Sequence, residues 1–307
     1  MEKCMCCRKV IGHVEKKYHQ ECIKKLFGVT WIPKITINSY DLPAEVRKKA
    51  GKMSISGVQI KASAKLNHSA RLIEVVDHGA THILKPEPAE YPELPQNENL
   101  CMNIAGELGI EVPAHGLFYM ADGKLCYIIR RFDRTPDGNK IHVEDMAQLL
   151  ELPSDSKYDS SIEKVGKVIL KHTSNTYLEA INFLERVLLC FIMGNGDMHL
   201  KNWSLITNEN GKIRLAPCYD LVSSKIYIPN EDESALTING KRNNLKRSDF
   251  EAFAKYLNID LKAAQNVFNK IINAKDKILN MINSEMKPER VKRLEEIILK
   301  RYGRIIV

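Results

Sequence analysis

Met193 to Ser204 reads MGNGDMHLKNWS, and around it the rest of the chain can be placed. Asp197 and Asn202 stand five residues apart in it. A second carboxylate, Asp220, follows in LAPCYDLVSS. A carboxylate, an amide five residues on, and another carboxylate after a short apolar strand meet the needs of phosphoryl transfer from ATP. One acid takes or orients the acceptor's hydroxyl proton, while the amide and the second acid hold magnesium on the phosphates. The catalytic loop of protein kinases has the same interval between Asp and Asn. Taken alone, the interval fits a polar turn closing a buried helix equally well.

The flanking sequence gives this loop a setting. Tyr177 to Met193 is apolar nearly all round, broken after Asn182 only by Glu185 and Arg186, which predicts a buried central helix and a rigid platform for the Asp197 loop. Trp203 to Ile206 and Lys212 to Leu215 predict a hairpin with Asn202 before it and Asp220 just after it. A hairpin returns its two ends to one place, so both proposed metal ligands would face the same point. Helical patterns cover Glu144 to Leu150 and Ser161 to Leu170, and from Arg247 onward they dominate through Leu257, Leu261 to Met281 and Glu289 to Tyr302.

Upstream the character changes. Lys52 to Lys61, KMSISGVQIK, alternates apolar residues around Ser, Gly and Gln, as a hairpin or strand-edge loop would. Strands are predicted at Ala70 to Val76 and Thr81 to Leu84, the latter ending at Lys85. A strand lysine can pair with ATP phosphates, although a surface lysine before a proline reads the same way. Gln96 to Leu108 has helical spacing. Glu98 near its start suits either a partner for Lys85 or a favourable acid in the first helical turn. Gly116 to Ala121 and Lys124 to Phe132 form a hairpin pattern around Ala121, Asp122 and Gly123. The change from β-rich to helical sequence sets a boundary near Asp133. It divides the chain into a small N-terminal segment (1–50), a β-rich part (51–133) and a helical part (134–307).

The 307 residues are 44% hydrophobic, enough for a large core, and carry a formal net charge of +8. Lys and Arg are spread along the chain rather than gathered in a tract, which favours a solvated basic surface over a nucleic-acid site. No apolar run is long enough to span a bilayer and no signal-peptide pattern opens the chain, so a cytoplasmic protein without membrane contact is expected. Of eight cysteines, Cys101, Cys126, Cys190 and Cys218 lie singly in apolar segments and read as small core hydrophobes. The other four crowd the opening. Cys4 and Cys7 make a CxxC pair, and His19 and Cys22 an HxxC pair, with Cys6 and His13 as spare donors. Two such pairs can surround a structural Zn2+ ion, or remain a reduced, metal-free knuckle.

Taken together, SISGVQIK (54–61), HILKP (82–86), ENLCMNIAGELG (98–109), RRFDR (130–134), HVED (142–145), NGDMHLKNWSL (195–205) and APCYDLVSS (216–224) resemble the HipA family of bacterial toxin serine/threonine kinases, in particular its short HipT-like members. The motifs cover about residues 50 to 225. The resemblance implies an α+β, bilobal protein-kinase-like fold with a β-rich N-lobe and a helical C-lobe, here preceded by the Cys/His knuckle. It implies transfer of the ATP γ-phosphate to a protein serine or threonine with Mg2+. By motif position, Asp197 is the catalytic base, His199 and Lys201 lie beside the phosphates, and Asn202 and Asp220 bind magnesium, with Tyr219 next to them. Lys85, supported by Glu98, contacts ATP phosphates. Ser56, Gly57, Val58, Gln59 and Lys61 cover those phosphates, and Arg130, Arg131 and Phe132 border the adenine. Ser54 and Ser56 match the loop serines that the family autophosphorylates.

The implied partners are a HipB-like DNA-binding antitoxin, through which DNA would be reached only indirectly, a small HipS-like antitoxin, and a protein substrate such as an aminoacyl-tRNA synthetase whose modification stops translation. Two departures stand out. Longer family members often carry Glu at the position of Arg130, and the long N-terminal domain of HipA is replaced by the knuckle. Two further readings remain: a degenerate kinase fold that only binds an antitoxin or DNA, and a kinase acting on a lipid or small molecule. The intact set of Lys85, Asp197, Asn202 and Asp220 argues against the first.

Overall fold

A computed structural model describes residues 2–12, 17–50, 59–135, 137–282 and 286–306. The expected α+β class is observed, with two compact units. One comprises Met1–Asn99 and Pro113–Lys140, the other Leu100–Val112 and Ile141–Val307. Ser54, Ser56, Gly57, Val58 and His13, with most of the hairpin or strand-edge loop expected at Lys52 to Lys61, lie outside the described residues.

In the first unit, α1 (Gln20–Phe27) and α2 (Leu42–Ala50) precede β1 (Ala62–Asn67), β2 (Leu72–Val75) and β3 (His82–Pro86). Then come α3 (Leu94–Glu107), of which only Leu94 to Asn99 belong to this unit, β4 (His115–Tyr119) and β5 (Leu125–Arg130). The five strands form one antiparallel sheet in the order β2-β1-β3-β5-β4. The β4–β5 hairpin turns at Gly123, whose φ of +77° is the left-handed conformation that glycine adopts without steric cost. β1 buries Ala62, Ala64 and Leu66 on alternate positions, and these pack in one core with Ile73, Val75, Leu84, Phe118, Cys126 and Ile128. Cys4, Cys6, Ile11, Tyr18, Ile23, Leu26 and Phe27 belong to that same core, so the N-terminal knuckle and α1 are part of the sheet's packing. Neither β1 nor α1 was expected from sequence.

The second unit holds β6 (Val143–Asp145), α4 (Met146–Leu149), α5 (Ile162–His172), α6 (Thr176–Met193), β7 (Ser204–Thr207) and β8 (Ile213–Leu215), followed by α7 (Arg247–Tyr256), α8 (Leu261–Asn273), α9 (Lys275–Ile282) and α10 (Pro288–Ile305). β6, β7 and β8 form a three-stranded antiparallel sheet. α6 is the predicted buried helix. Its inner turns, Phe183 to Met193, are buried throughout, and it packs against α5, α7, α8 and α10. Each buried Leu, Ile or Phe there contributes about 1.5–3 kcal/mol by leaving water. The two charges that break the apolar pattern are both satisfied: Arg186 Nη1 donates to Ala216 O at 2.6 Å, and Glu185 pairs with Lys270.

Two element readings need correction. Glu144 to Leu150, expected as helix, is split: Glu144 pairs with Leu205 in the small sheet. Asp145 then caps α4, accepting from Gln148 N at 2.9 Å while Gln148 Oε1 accepts from Asp145 N at 2.9 Å. This reciprocal capping box starts the helix two residues later than the apolar pattern implied. Leu261 to Met281, expected as one helix, divides at Ala274 into α8 and α9.

Candidate active site

In the second unit, α6 ends at Gly194 (φ +73°), whose N–H bonds back to Cys190 O and Phe191 O in a left-handed cap. A Cβ there would lie 2.9 Å from Ile297 Cγ2. The next residues turn sharply and are held by their own polar groups. Asp197 N donates to Asn195 Oδ1 at 3.2 Å, and His199 N donates to Asp197 O at 2.8 Å. Asn202 Nδ2 donates to the same Asp197 carbonyl at 3.0 Å. An amide side chain has one donor end and one acceptor end. With the donor end on Asp197, the Asn202 side chain has oxygen to offer a ligand.

The Asp197 carboxylate is half-buried, and the Tyr158 hydroxyl donates to its Oδ1 at 2.6 Å. Burial and the Asp197 charge push the Tyr158 hydroxyl pKa up, so it stays a neutral donor. The ring of His199 lies edge-on to Tyr158 with centroids 5.2 Å apart. Burial pushes the His199 pKa down, against the opposing pull of Asp197 and Asp220, and its Nδ1 has no hydrogen-bond partner among the described residues. Gly196 is packed so closely that a Cβ would come within 2.5 Å of Asp232 O and the Glu231 carboxyl. Gly196 N donates to Ser224 Oγ at 2.9 Å, and Ser224 Oγ donates to Glu231 Oε2 at 2.6 Å. Burial foremost, then the nearby Asp197 charge, raises the Glu231 pKa to about 7.

The hairpin of β7 and β8 performs the expected return. Leu205 pairs with Leu215, and Ala216 N donates to Ser204 O at 2.9 Å. The link is completed by Tyr219, whose hydroxyl bonds Lys201 O at 2.9 Å and Ser204 Oγ at 2.5 Å. Asp220 has φ +54°, a left-handed conformation sparsely used outside glycine and concentrated at functional positions. Lys201 Nζ donates to Ser154 Oγ at 3.0 Å. The donor set of Asn202 and Asp220, an amide oxygen and a carboxylate, has the hard-oxygen chemistry that suits Mg2+.

In the first unit, Lys85 on β3 meets Glu98 on α3 with Nζ to Oε1 2.5 Å. Their side chains are 4% and 1% exposed. Of the two sequence readings for Glu98, the structure realises the ion pair. Lys85 Nζ also lies 5.6 Å from the centroid of the Tyr127 ring. One residue past Lys85, Pro86 O accepts from Gln59 Nε2 at 3.0 Å, while Lys61 is exposed just before β1. Arg130 Nη1 donates to Lys25 O at 3.0 Å, so its side chain is turned toward α1, and its N–H bonds Ala114 O at 2.8 Å. Arg131 forks onto Asp133 at 2.8 and 2.6 Å, its N–H donates to Thr81 O at 2.9 Å, and Phe132 follows in the turn.

The Cys/His motif also assembles. Ligand atoms of Cys4, Cys7, His19 and Cys22 all lie within 4.8 Å of one another. Cys6 points instead at the sheet: a Cβ on Gly116 would meet its Sγ at 2.4 Å. Cys101, Cys126, Cys190 and Cys218 are buried, as expected of core residues.

Sequence reading missed Tyr158, Ser224 and Glu231, which hold the Asp197 loop in place. Tyr158 sits in the polar run SDSKYDSS, where its one aromatic ring was the available signal. Glu231 sits in an acidic run, NEDES, that reads as solvated surface.

Among the described residues no helix is long and apolar enough to cross a membrane. The Shewanella oneidensis MR-1 HipA, solved in a toxin-antitoxin complex of HipA, HipB and operator DNA, superposes with a TM-score of 0.67 at 22% identity, over 82% of this chain and 65% of that one. The Helicobacter pylori proinflammatory kinase CtkA gives 0.55 at 18% identity, over 79% and 90%. These likenesses establish a shared fold. By sequence, the protein named "Putative kinase Y4dM" of Sinorhizobium fredii is 37% identical over 207 residues, which is 62% of this chain and 50% of the relative. One named "Putative kinase" of Haemophilus influenzae is 34% identical over 186 residues, 57% of this chain and 54% of the relative. The chain thus spans about half the length of the curated relatives it matches. Residues 53–279, most of the chain, match the family described as HipA-like C-terminal domain, and the chain belongs to this kinase-like family.

Proposed function

We propose that this chain is a HipT-like toxin kinase that transfers the γ-phosphate of ATP to a serine or threonine of a protein. The observation that carries this reading is the buried ion pair between Lys85 on a sheet strand and Glu98 on the following helix. Two charges out of water cost several kcal/mol to desolvate, and protein kinases use such a strand-lysine and helix-glutamate pair to hold the lysine at ATP phosphates. Lys85 would contact those phosphates. The segment around Gln59 and Lys61 would cover them, and Arg130 to Phe132 would border adenine through their backbone.

In the second unit, Asp197 Oδ1 is held by Tyr158, which leaves Oδ2 to accept the proton of the acceptor hydroxyl. As that proton moves to Asp197, the hydroxyl oxygen bonds the γ-phosphorus and the bond to the ADP oxygen breaks. Asn202 through its side-chain oxygen and Asp220 through its carboxylate would hold Mg2+. When bound, that ion supplies charge neutralisation at the phosphates. A neutral His199 offers a neutral contact beside the phosphates, with Lys201 adding positive charge.

Ser54 and Ser56 are the proposed autophosphorylation sites, where added negative charge would repel ATP phosphates. We assign the β-rich part (51–133) to the nucleotide and the helical part (134–307) to catalysis. The partners inferred are a HipB-like antitoxin, as in the Shewanella complex, and a small HipS-like antitoxin. The inferred substrate is an aminoacyl-tRNA synthetase in the cytoplasm.

The test is incubation of the protein with labelled ATP and Mg2+, alone and with bacterial lysate, beside Asp197→Asn. Label on the chain or on a lysate protein for wild type only is the expected result. Equal, background labelling in both would sink the reading. Label in a lipid or small-molecule fraction would move the substrate out of protein. Phosphoproteomics of cells expressing the two forms then identifies the acceptor.

A further inference from the structure

The N-terminal knuckle lies outside the phosphoryl-transfer chemistry, yet it is built into the same unit as Lys85 and Glu98. Its donors are arranged for a metal. Zn–S bonds of ~2.3 Å and Zn–N bonds of ~2.0 Å place tetrahedral donor pairs ~3.5–3.8 Å apart. The four ligand atoms are already within 4.8 Å of each other, and Cys7 Sγ is 3.3 Å from His19 Nδ1.

The remaining geometry supports that use. His19 Nε2 lies 3.2 Å from Val10 O. A carbonyl can only accept, so Nε2 carries the hydrogen and Nδ1 presents its lone pair beside Cys7, the tautomer a ligand needs. His19 N donates to Cys4 Sγ at 3.3 Å. Arg8, just after the CxxC pair, is held at φ +61° while Cys4 N bonds Lys9 O and Arg8 N bonds Cys4 O, each at 2.8 Å. A non-glycine residue stays in that conformation when its surroundings require the tight turn. None of the cysteines is in a disulfide.

The contacts the knuckle makes with the sheet are equally specific. Met5, between the first two ligands, accepts through its carbonyl from Leu117 N at 3.0 Å and from Asn99 Nδ2 at 3.3 Å. Leu117 is on β4, the outer strand of the sheet, and its carbonyl accepts from Tyr18 OH at 2.9 Å. Tyr18 also stacks on Phe118 with centroids 4.8 Å apart. Asn99 is the neighbour of Glu98 on α3, and its Oδ1 is 3.0 Å from His115 Nδ1.

We propose that Cys4, Cys7, His19 and Cys22 bind one zinc ion. By fixing Met5 between its ligands, the metal clamps the outer edge of β4 and the Asn99 turn of α3, so that Glu98 keeps its place against Lys85. On binding, three thiols release three protons and His19 contributes a neutral nitrogen, giving a closed four-ligand site of net charge −1. With no open position the ion is structural, and the residues that transmit its effect, Met5 and Asn99, are positioning residues.

The experiment is metal analysis of the full chain, purified without chelator from zinc-supplied cells, followed by hydrogen exchange before and after zinc is stripped. About one zinc per chain is expected, absent from Cys7→Ser/Cys22→Ser but retained in His19→Cys, which restores a four-ligand set. Cobalt should replace zinc with the absorption of a tetrahedral thiolate site. Stripping should speed exchange in peptides covering Gly116 to Phe118 and Glu98 to Asn99, while peptides from α6 stay protected and report that the rest remains folded. Less than about half an equivalent of zinc, with no cobalt spectrum, overturns the site. Full zinc with unchanged exchange in β4 and α3 on stripping overturns the clamp. Both readouts are independent of phosphate transfer, so an inactive protein would still decide the matter.

Discussion

Lys85 in the first unit and Asp197 in the second are both charged side chains, and they are held by opposite means. Lys85 is almost fully buried and neutralised at 2.5 Å by Glu98, with the Tyr127 ring beside it. Asp197 is half-buried and is steadied by a neutral hydroxyl on its carboxylate and by amide groups on its backbone. A charge buried deeply requires an opposite charge, whereas one near water can be aligned by neutral dipoles. In the proposed kinase reading, the difference separates a residue that stays in place, Lys85, from one that takes up and releases a proton, Asp197.

Four experiments put this contrast at risk. Asp197→Asn keeps the shape and the Tyr158 contact but cannot take up a proton. Transfer from labelled ATP should fall by about 10²–10⁴-fold, with the melting temperature nearly unchanged. A large fall in stability would show that the carboxylate is a structural charge after all. Glu98→Ala leaves the Lys85 ammonium buried without its partner and should cost about 3–5 kcal/mol in urea unfolding. Replacing both, Lys85→Met with Glu98→Leu, should recover most of that stability while ATP binding stays lost. A cost below about 1 kcal/mol for Glu98→Ala would place the pair with weakly contributing surface bridges.

Tyr158→Phe removes one hydrogen bond to Asp197. At about 1–1.5 kcal/mol this predicts about a tenfold lower kcat with KM little changed. An unaltered kcat would mean that Asp197 is aligned by its backbone contacts alone. The smallest effect concerns pH. Glu231 binds its proton more tightly folded than unfolded, so that contribution to stability is complete below about pH 4.5 and lost as pH rises through about 7. Glu231→Gln should remove this slope: the melting temperature of wild type minus that of the variant should decrease across that window. A constant difference would show that Glu231 is ionised well below neutrality.

Much of this contrast was legible in the sequence. The nearly unbroken apolar run of α6 fixed the platform, and the spacing of Asp197, Asn202 and Asp220 around a hairpin pattern described the loop's surroundings. Glu98 was undecided because spacing along one helix carries no information about a strand preceding it. β1 went unseen because two of its three buried positions are Ala62 and Ala64, too small to mark an alternation. Tyr158 and Glu231 lie in polar loops whose folded path is set by tertiary contacts such as Arg242 Nη2 to Tyr158 O, an interaction spanning 84 positions. The expected roles at Ser54 and Ser56 fall on residues outside the described ones.

The support beneath the end of α6 is made late in synthesis. Arg301 on α10 donates through Nη1 to Phe191 O, in the last turn before the Asp197 loop, and it is made 110 positions later. Gly194 likewise packs against Ile297. On a ribosome, the loop would therefore leave the exit tunnel long before its support exists, and an emerging chain would carry Asp197 and Asn202 without a fixed geometry for them. For a protein whose proposed activity halts translation, the lag would delay competence until the polypeptide has passed Arg301, so a chain interrupted midway would be harmless to the machinery making it.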